Sequence, residues 1–427
     1  MLRRLLSPLQ TMNPQARLFF AVLVGLTFVV DGLYSVLLNL YLLRLDYGTE
    51  FIGLVNAVGL LTFGLAAMPA GILGSRMSTT ALMKFGAFLC LLGGLLLPMA
   101  EWLPPGWREL GLALPPALMF GGFAFFFVNG APYLINVVDD AHKHQAFAFK
   151  AAHWSLAGFA GSLVGGVLPG AIAATNGWTL ADPNPYRITF ALASVVLGLA
   201  AALSLRMLPL PPKAAPAHVD RRDRHGGIGG GWATSILTLI VIMTVIRLFQ
   251  VSSSATAMVY FNVYMDQHLA VSTALIGAMA AIGRLTGVPT ALLTPALVRR
   301  WGDVGVVIGA SLLATICLIP MALVAHWLAA SFGYIGAVSM MAVRFTAFTV
   351  HILELVPQRH QALMAGMGEA AAGLSFAMMA LGGGLLLTAF TFRDLFLLGT
   401  LFGFIGTALF WLYVVVSRRK RKLKPAL

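Results

Sequence analysis

Along this chain, apolar residues run for about 20 positions or more between short breaks rich in charge, Gly and Pro. Twelve such runs are long enough to cross a bilayer when read in windows of about 19 residues. They lie near 18–43, 51–73, 81–100, 112–137, 145–173, 187–208, 233–262, 273–297, 304–325, 331–355, 362–390 and 394–417. The runs are too long for strands and are built from strong helix formers, so they predict membrane helices rather than a barrel. The expected fold class is an all-α integral membrane protein with 12 transmembrane helices in two pseudo-symmetric six-helix bundles.

The division into two bundles comes from a repeat. Asn39-Leu40-Tyr41 and Asn262-Val263-Tyr264 each sit near the end of a long apolar run. Each is followed by an Ile-Gly pair, Ile52-Gly53 and Ile276-Gly277, and then, at equal offsets, by Arg76 and Arg300 and by Ser78 and Gly302. Further along, His144-Gln145-Ala146 precedes Gly165-Gly166 by about the interval that separates His360-Gln361-Ala362 from Gly382-Gly383. A duplicated membrane bundle points to a carrier with its site between the halves. The expected domains are 1–207 and 233–417, joined by a linker over 208–232 and followed by a basic tail over 418–427. Proline, charge and glycine dominate the linker, a composition that packs no core.

Composition agrees with the membrane class: mean hydropathy is +0.87, 59% of residues are hydrophobic and 10% are charged. A net charge of +13 is, taken alone, a feature of nucleic-acid binders. The positions of the charges argue otherwise. Most Lys and Arg fall in the termini and the even-numbered connections, with Arg44, Arg108, Arg187 and Arg393 in the opposite loops. That is the positive-inside bias, and it predicts a multi-pass protein of the inner (plasma) membrane with both termini cytoplasmic. The run Arg418-Arg419-Lys420-Arg421-Lys422 reads as an anchor that also attracts anionic headgroups. The first run is far longer than a signal-peptide core and reads as a retained span. Cys90 and Cys317 stand alone in separate runs and suit packing.

Ionisable groups at bilayer depth are costly unless paired or hydrated, so each is a functional candidate. Asp31, Glu369 and His153 are the candidates for proton coupling or substrate contact. A carboxyl that alternates between apolar surroundings and an arginine neighbour can take up and release a proton; a static ion pair is the competing reading of Asp31. Arg247, Arg284 and Arg344 lie deep in the second half and outnumber the deep carboxylates, which hints at an anionic group on the substrate. Arg284 is expected to pair with Glu369 or with backbone carbonyls. Asn39, Asn129, Gln250 and Asn262 add neutral hydrogen-bonding groups to the expected substrate pocket, and Tyr34, Tyr133, Trp154 and Tyr260 a mixed apolar and aromatic wall. No nucleotide-binding loop, metal-ligand cluster or catalytic constellation is present, so neither an enzyme, a cofactor nor a metal is expected.

Two loops and one helix carry a family resemblance over nearly the whole chain. Gly71-Ile72-Leu73-Gly74-Ser75-Arg76-Met77-Ser78 resembles the Gly-x-x-x-Asp-Arg-x-Gly loop of the major facilitator superfamily, with Ser75 in place of the acidic residue and Ser78 in place of the second glycine. Its counterpart, Leu297-Val298-Arg299-Arg300-Trp301-Gly302, keeps the basic pair and the glycine. Gly161-Ser162-Leu163-Val164-Gly165-Gly166 is similar to the Gly-Pro-x-x-Gly-Gly element of the drug:proton antiporter branch, with Ser162 at the proline position. The resemblance implies a secondary active carrier that works by alternating access as a monomer. Its gating residues would be Gly71, Arg76, Arg300, Gly302, Gly161, Gly165 and Gly166; Glu354, beside the cytoplasmic boundary, is expected to gate or to cap its helix. Arg247 and Arg344 become the preferred substrate contacts, because spans seven and ten line the cavity in that family. Proton-coupled export of a small amphipathic solute is the leading expectation. The alternatives are an organic-anion carrier, in uptake or exchange, and a lipid scramblase or membrane sensor on the same fold.

Overall fold

A computed structural model describes residues 13–74, 76–138, 143–209, 230–356 and 358–422. Most of the linker and Ser75 of the loop motif lie outside these residues. So do the side chains of His144, Gln145, His360, Gln361 and the basic tail.

The described residues are helical, with no strand among them. In chain order the helices are α1 (Pro14–Thr27), α2 (Tyr34–Arg44), α3 (Thr49–Gly74), α4 (Thr79–Leu96), α5 (Pro105–Val137), α6 (Lys143–Asn176) and α7 (Asn184–Leu205). They continue with α8 (Gly230–Val263), α9 (Thr273–Ile316), α10 (Leu318–Leu323), α11 (Trp327–Glu354), α12 (Gln358–Leu386) and α13 (Phe392–Lys422). A wider π-helical turn, Phe28–Leu33, joins α1 to α2, and another, Tyr264–His268, extends α8. The chain enters α1 through a strong start signal: Pro14 occupies the first turn, and the Asn13 carboxamide oxygen accepts the Gln15 N–H at 3.0 Å.

Eleven stretches of the described residues are long and apolar enough to cross a membrane. The remaining expected span, 273–297, forms the first part of α9, and its apolar run is broken by Arg284, Pro289 and Pro295. Spans eight and nine are thus continuous except at Gly302, where φ is 70° and ψ is 163°. Large apolar side chains such as Leu65, Leu199 and Phe332 point outward. On a soluble protein that surface would drive aggregation; on a helix in lipid it is the solvated face.

Packing divides the chain into two compact units. The first comprises Met1–Ala217 with Val271–Leu285, and the second His218–Ala270 with Thr286–Leu427. The start of α9 therefore clusters with the first unit. In that unit α4 and α5 meet through Gly86 and Gly122, where a side chain would collide with the facing backbone. The second unit has an apolar core in which Ile240, Met243, Ile246, Val307, Phe348 and Phe410 are buried together.

Gly302 lies in a backbone region that side chains avoid, and nothing surrounds it within 4 Å of an added Cβ. Gly302→Ala is expected to cost about 1–3 kcal/mol through strain alone. Gly309→Ala, which also meets nothing but is helical, should be neutral or stabilising. Thermal unfolding in detergent compares them, and equal midpoints would remove the strain argument.

Candidate functional site

In the first unit the deep carboxylate and one deep arginine meet. Asp31 sits in the π-helical turn and forms an ion pair with Arg284 of α9. Their side chains are 23% and 10% exposed. Arg284 also donates from Nε to the Ser162 hydroxyl at 3.0 Å and from Nη2 to the Ser35 hydroxyl at 2.8 Å. Those two hydroxyls in turn donate to the Gly32 carbonyl, at 2.7 Å from Ser35 and 3.3 Å from Ser162. A π-helical turn displaces the regular i→i−4 ladder, and such turns recur at functional sites. Here the serines supply hydrogen bonds to a carbonyl of that turn.

Glycine makes room for this arrangement. A Cβ on Gly158 would lie 3.0 Å from Asp31 Oδ2 and 3.2 Å from Arg284 Cδ, and a Cβ on Gly32 would lie 2.7 Å from the Gly161 Cα. Gly166 and Gly277 abut in the same way, Gly277 Cα lying 2.9 Å from an added Cβ on Gly166. Gly165 is under less pressure, with Leu33 at 3.4 Å. The expected pairing of Arg284 with Glu369 is therefore corrected: its carboxylate partner is Asp31, and Glu369 lies beside Arg247 instead. The reason is local, since the glycines of α6 let α9 and the π turn come close enough for an ion pair.

In the second unit the other two arginines of α8 and α11 form a separate cluster. Arg247 Nη2 lies 3.6 Å from Glu369 Oε1; the arginine side chain is 5% exposed and the glutamate 48%. The Arg247 guanidinium lies over the rings of Phe345 and Phe348, at 5.3 and 5.0 Å. Arg344 is 1% exposed and donates from Nη1 to the Gln250 carbonyl. It is within electrostatic reach of Arg247. Arg247 Nε and Nη1, Arg344 Nε, and both ends of the Gln250 carboxamide are buried without a hydrogen-bond partner. Each such group carries a desolvation cost of about 1–3 kcal/mol, more when charged, so this cluster is expensive to maintain.

The remaining candidates divide between packing and exposure. His153 Nδ1 lies 2.8 Å from the Phe149 carbonyl one turn back, a contact that fits the Nδ1–H form, and its ring packs on Phe20 at 5.2 Å. Asn39 accepts from Asn56 Nδ2 at 2.7 Å, and Asn262 is buried in α8. Tyr34 is buried against Phe190 at 4.7 Å. Tyr41, the last residue of the first repeat, donates to Glu101 Oε1 at 2.5 Å, and Glu101 Oε2 lies 3.4 Å from Arg187. Tyr264, its counterpart, is buried against His268 and Phe396. Arg76, Arg300 and Glu354 are exposed, and a Cβ on Gly71 would meet only Val128, at 3.7 Å. Among the described residues no group of three metal-ligating side chains occurs.

Sequence reasoning overlooked Lys150, although it lies inside an apolar run. Its ammonium sits over the Phe127 ring at 4.6 Å, and that ring packs on Trp154 at 5.1 Å and on Phe123 at 6.5 Å. Its signal in the sequence is a lysine inside the apolar run 145–173, four residues before Trp154.

A family model described as Major Facilitator Superfamily matches residues 20–350, well over half of the chain. The chain belongs to the major facilitator superfamily. This facilitator is therefore a multi-pass membrane transporter of small molecules, not an enzyme. Solved structures share its fold at low identity. A D-xylose–proton symporter has a TM-score of 0.71 and 14% identity, covering 93% of this chain and 96% of that one. The nucleoside transporter NupG has a TM-score of 0.69 and 13% identity, covering 93% and 99%. A POT family transporter in complex with 5-aminolevulinic acid has a TM-score of 0.69 and 14% identity, covering 95% and 96%. No curated protein matches this facilitator in sequence.

Proposed function

We propose that this facilitator is a proton-coupled secondary active carrier in which Asp31 binds the coupling proton. The observation that carries the reading is the Asp31–Arg284 ion pair, set in a distorted helical turn and braced by Ser35 and Ser162. Ionised Asp31 holds the guanidinium. A proton on the carboxyl removes that charge, while the serine hydroxyls remain as acceptors for the Arg284 N–H groups. One proton can thus switch the strength of the contact between α9 and the π turn without leaving the arginine unsolvated.

The direction we propose is export, supported by the likeness of Gly161–Gly166 to the exporter element. An inner-membrane location with both termini cytoplasmic is supported by the charge distribution, and the fold can work as a monomer. Coupling is tested with purified protein in liposomes holding a pH-sensitive dye, under an imposed proton gradient and a panel of organic anions, lipophilic cations and sugars. At least one compound is expected to accelerate proton movement. Solute movement that ignores both the gradient and a protonophore would defeat the proton-coupled reading.

A further inference from the structure

We infer that the second unit holds a binding site for an oxyanion group, carboxylate or phosphate, of the carried solute, formed by Arg247, Arg344 and Gln250. The inference rests on the chain being a carrier and is independent of Asp31. Two guanidinium groups lie in one buried cluster, and the one carboxylate in contact, Glu369, is half exposed and 3.6 Å from Arg247. Glu369 thus offsets one charge weakly and leaves the second without a counter-charge among the described residues. Phe345 and Phe348 shield Arg247, which lowers the local dielectric and strengthens whatever anion meets it.

The hydrogen-bond count points the same way. Arg247 Nε and Nη1, Arg344 Nε and Gln250 Nε2 are four buried donor atoms without an acceptor. Arg247 and Gln250 are three residues apart on α8, one helical turn, so they share a face. The Arg344 bond to the Gln250 carbonyl fixes α11 against that same turn. An excess of donors over acceptors, with surplus positive charge, is what a planar oxyanion satisfies, and guanidinium presents paired N–H groups to it. A neutral sugar or an apolar cation offers no such match.

The test needs no gradient. Purified protein in detergent at constant ionic strength is heated with benzoate, citrate or phenyl phosphate, and with benzamide and phenol as neutral counterparts. At least one anion is expected to raise the unfolding midpoint saturably where the neutral compounds do not. Benzoate against phenyl phosphate separates carboxylate from phosphate recognition. Arg344→Gln should weaken the apparent affinity at least tenfold, with partial recovery in Arg344→Lys. Gln250→Leu keeps both charges and removes an unpaired amide, so it should fold with an equal or higher midpoint and still bind the anion several-fold more weakly. Anions and neutral compounds acting alike, or an anion effect that both variants leave unchanged, overturns the site. Anion binding without proton flux would leave this inference standing and sink Asp31 coupling. Proton flux driven only by neutral or cationic solutes would do the reverse.

Discussion

Asp31→Asn is expected to collapse gradient-driven solute accumulation to the concentration ratio of simple equilibration. With one proton per solute, each unit of pH difference sustains about a tenfold ratio, since 1.4 kcal/mol corresponds to a factor of ten. Asparagine binds no proton and so removes that entire factor. It also leaves Arg284, 10% exposed, without its counter-charge. Breaking one side of a fully buried pair costs about 3–5 kcal/mol, but Asp31 is 23% exposed and Arg284 keeps Ser35 and Ser162, so the loss here falls below that range. Stability and coupling are separated by the double variant Asp31→Asn/Arg284→Gln. Removing both charges should restore the unfolding midpoint toward wild type and leave accumulation at equilibration. Solute uptake into liposomes and thermal unfolding of the same preparations supply the two readings. Normal accumulation by Asp31→Asn would take this carboxyl out of the mechanism and leave the ion pair as a structural brace.

The parts of this protein that were legible from the sequence are those a local pattern encodes. Length and hydropathy identified the helices, because a membrane helix must hide its own backbone and so writes its extent as an unbroken apolar run. The exception is the start of α9, where Arg284 and two prolines dilute the run, and its distinctiveness by hydropathy disappears. The list of deep charges was also readable, since each stands out against its apolar neighbours. Which charges meet was not. Asp31 and Arg284 lie 253 positions apart in sequence, and their contact depends on Gly158 giving up a side chain on a third helix. Arg247 and Glu369 likewise meet only through the packing of α8 on α12. Pairing is a property of helix approach, and approach is set by small residues whose spacing names a face but not its neighbour. The same limit explains Ser162. In the sequence it was a departure from a family pattern; in the structure its hydroxyl accepts from Arg284 and donates to the Gly32 carbonyl.

Gly161→Ala is expected to be severely destabilising, and Gly161→Val to prevent folding. An added Cβ would lie 2.9 Å from both the Gly32 Cα and the Phe28 carbonyl carbon. Those neighbours are backbone, so no side chain can rotate away, and the helices themselves must separate. Overpacking of a core by one or a few methyl groups commonly costs about 1–3 kcal/mol, and more when backbone has to move. Gly165→Ala is the matched control: it lies one turn on along the same face, and its nearest neighbours stand at the ordinary contact distance of 3.4 Å. It should change the unfolding midpoint by a degree or two at most. The transport reading should follow the same order, because moving α6 away from the π turn also withdraws Ser162 and the space at Gly158 on which the Asp31–Arg284 pair depends. Thermal unfolding and proteoliposome transport of the two alanine variants decide the matter. Equal, mild effects at both positions would show that the glycine face is not a packing seam. An unchanged midpoint with lost transport in Gly161→Ala would instead assign this stretch of α6 to the moving parts of the cycle, where a small residue is needed for motion rather than for the resting contact.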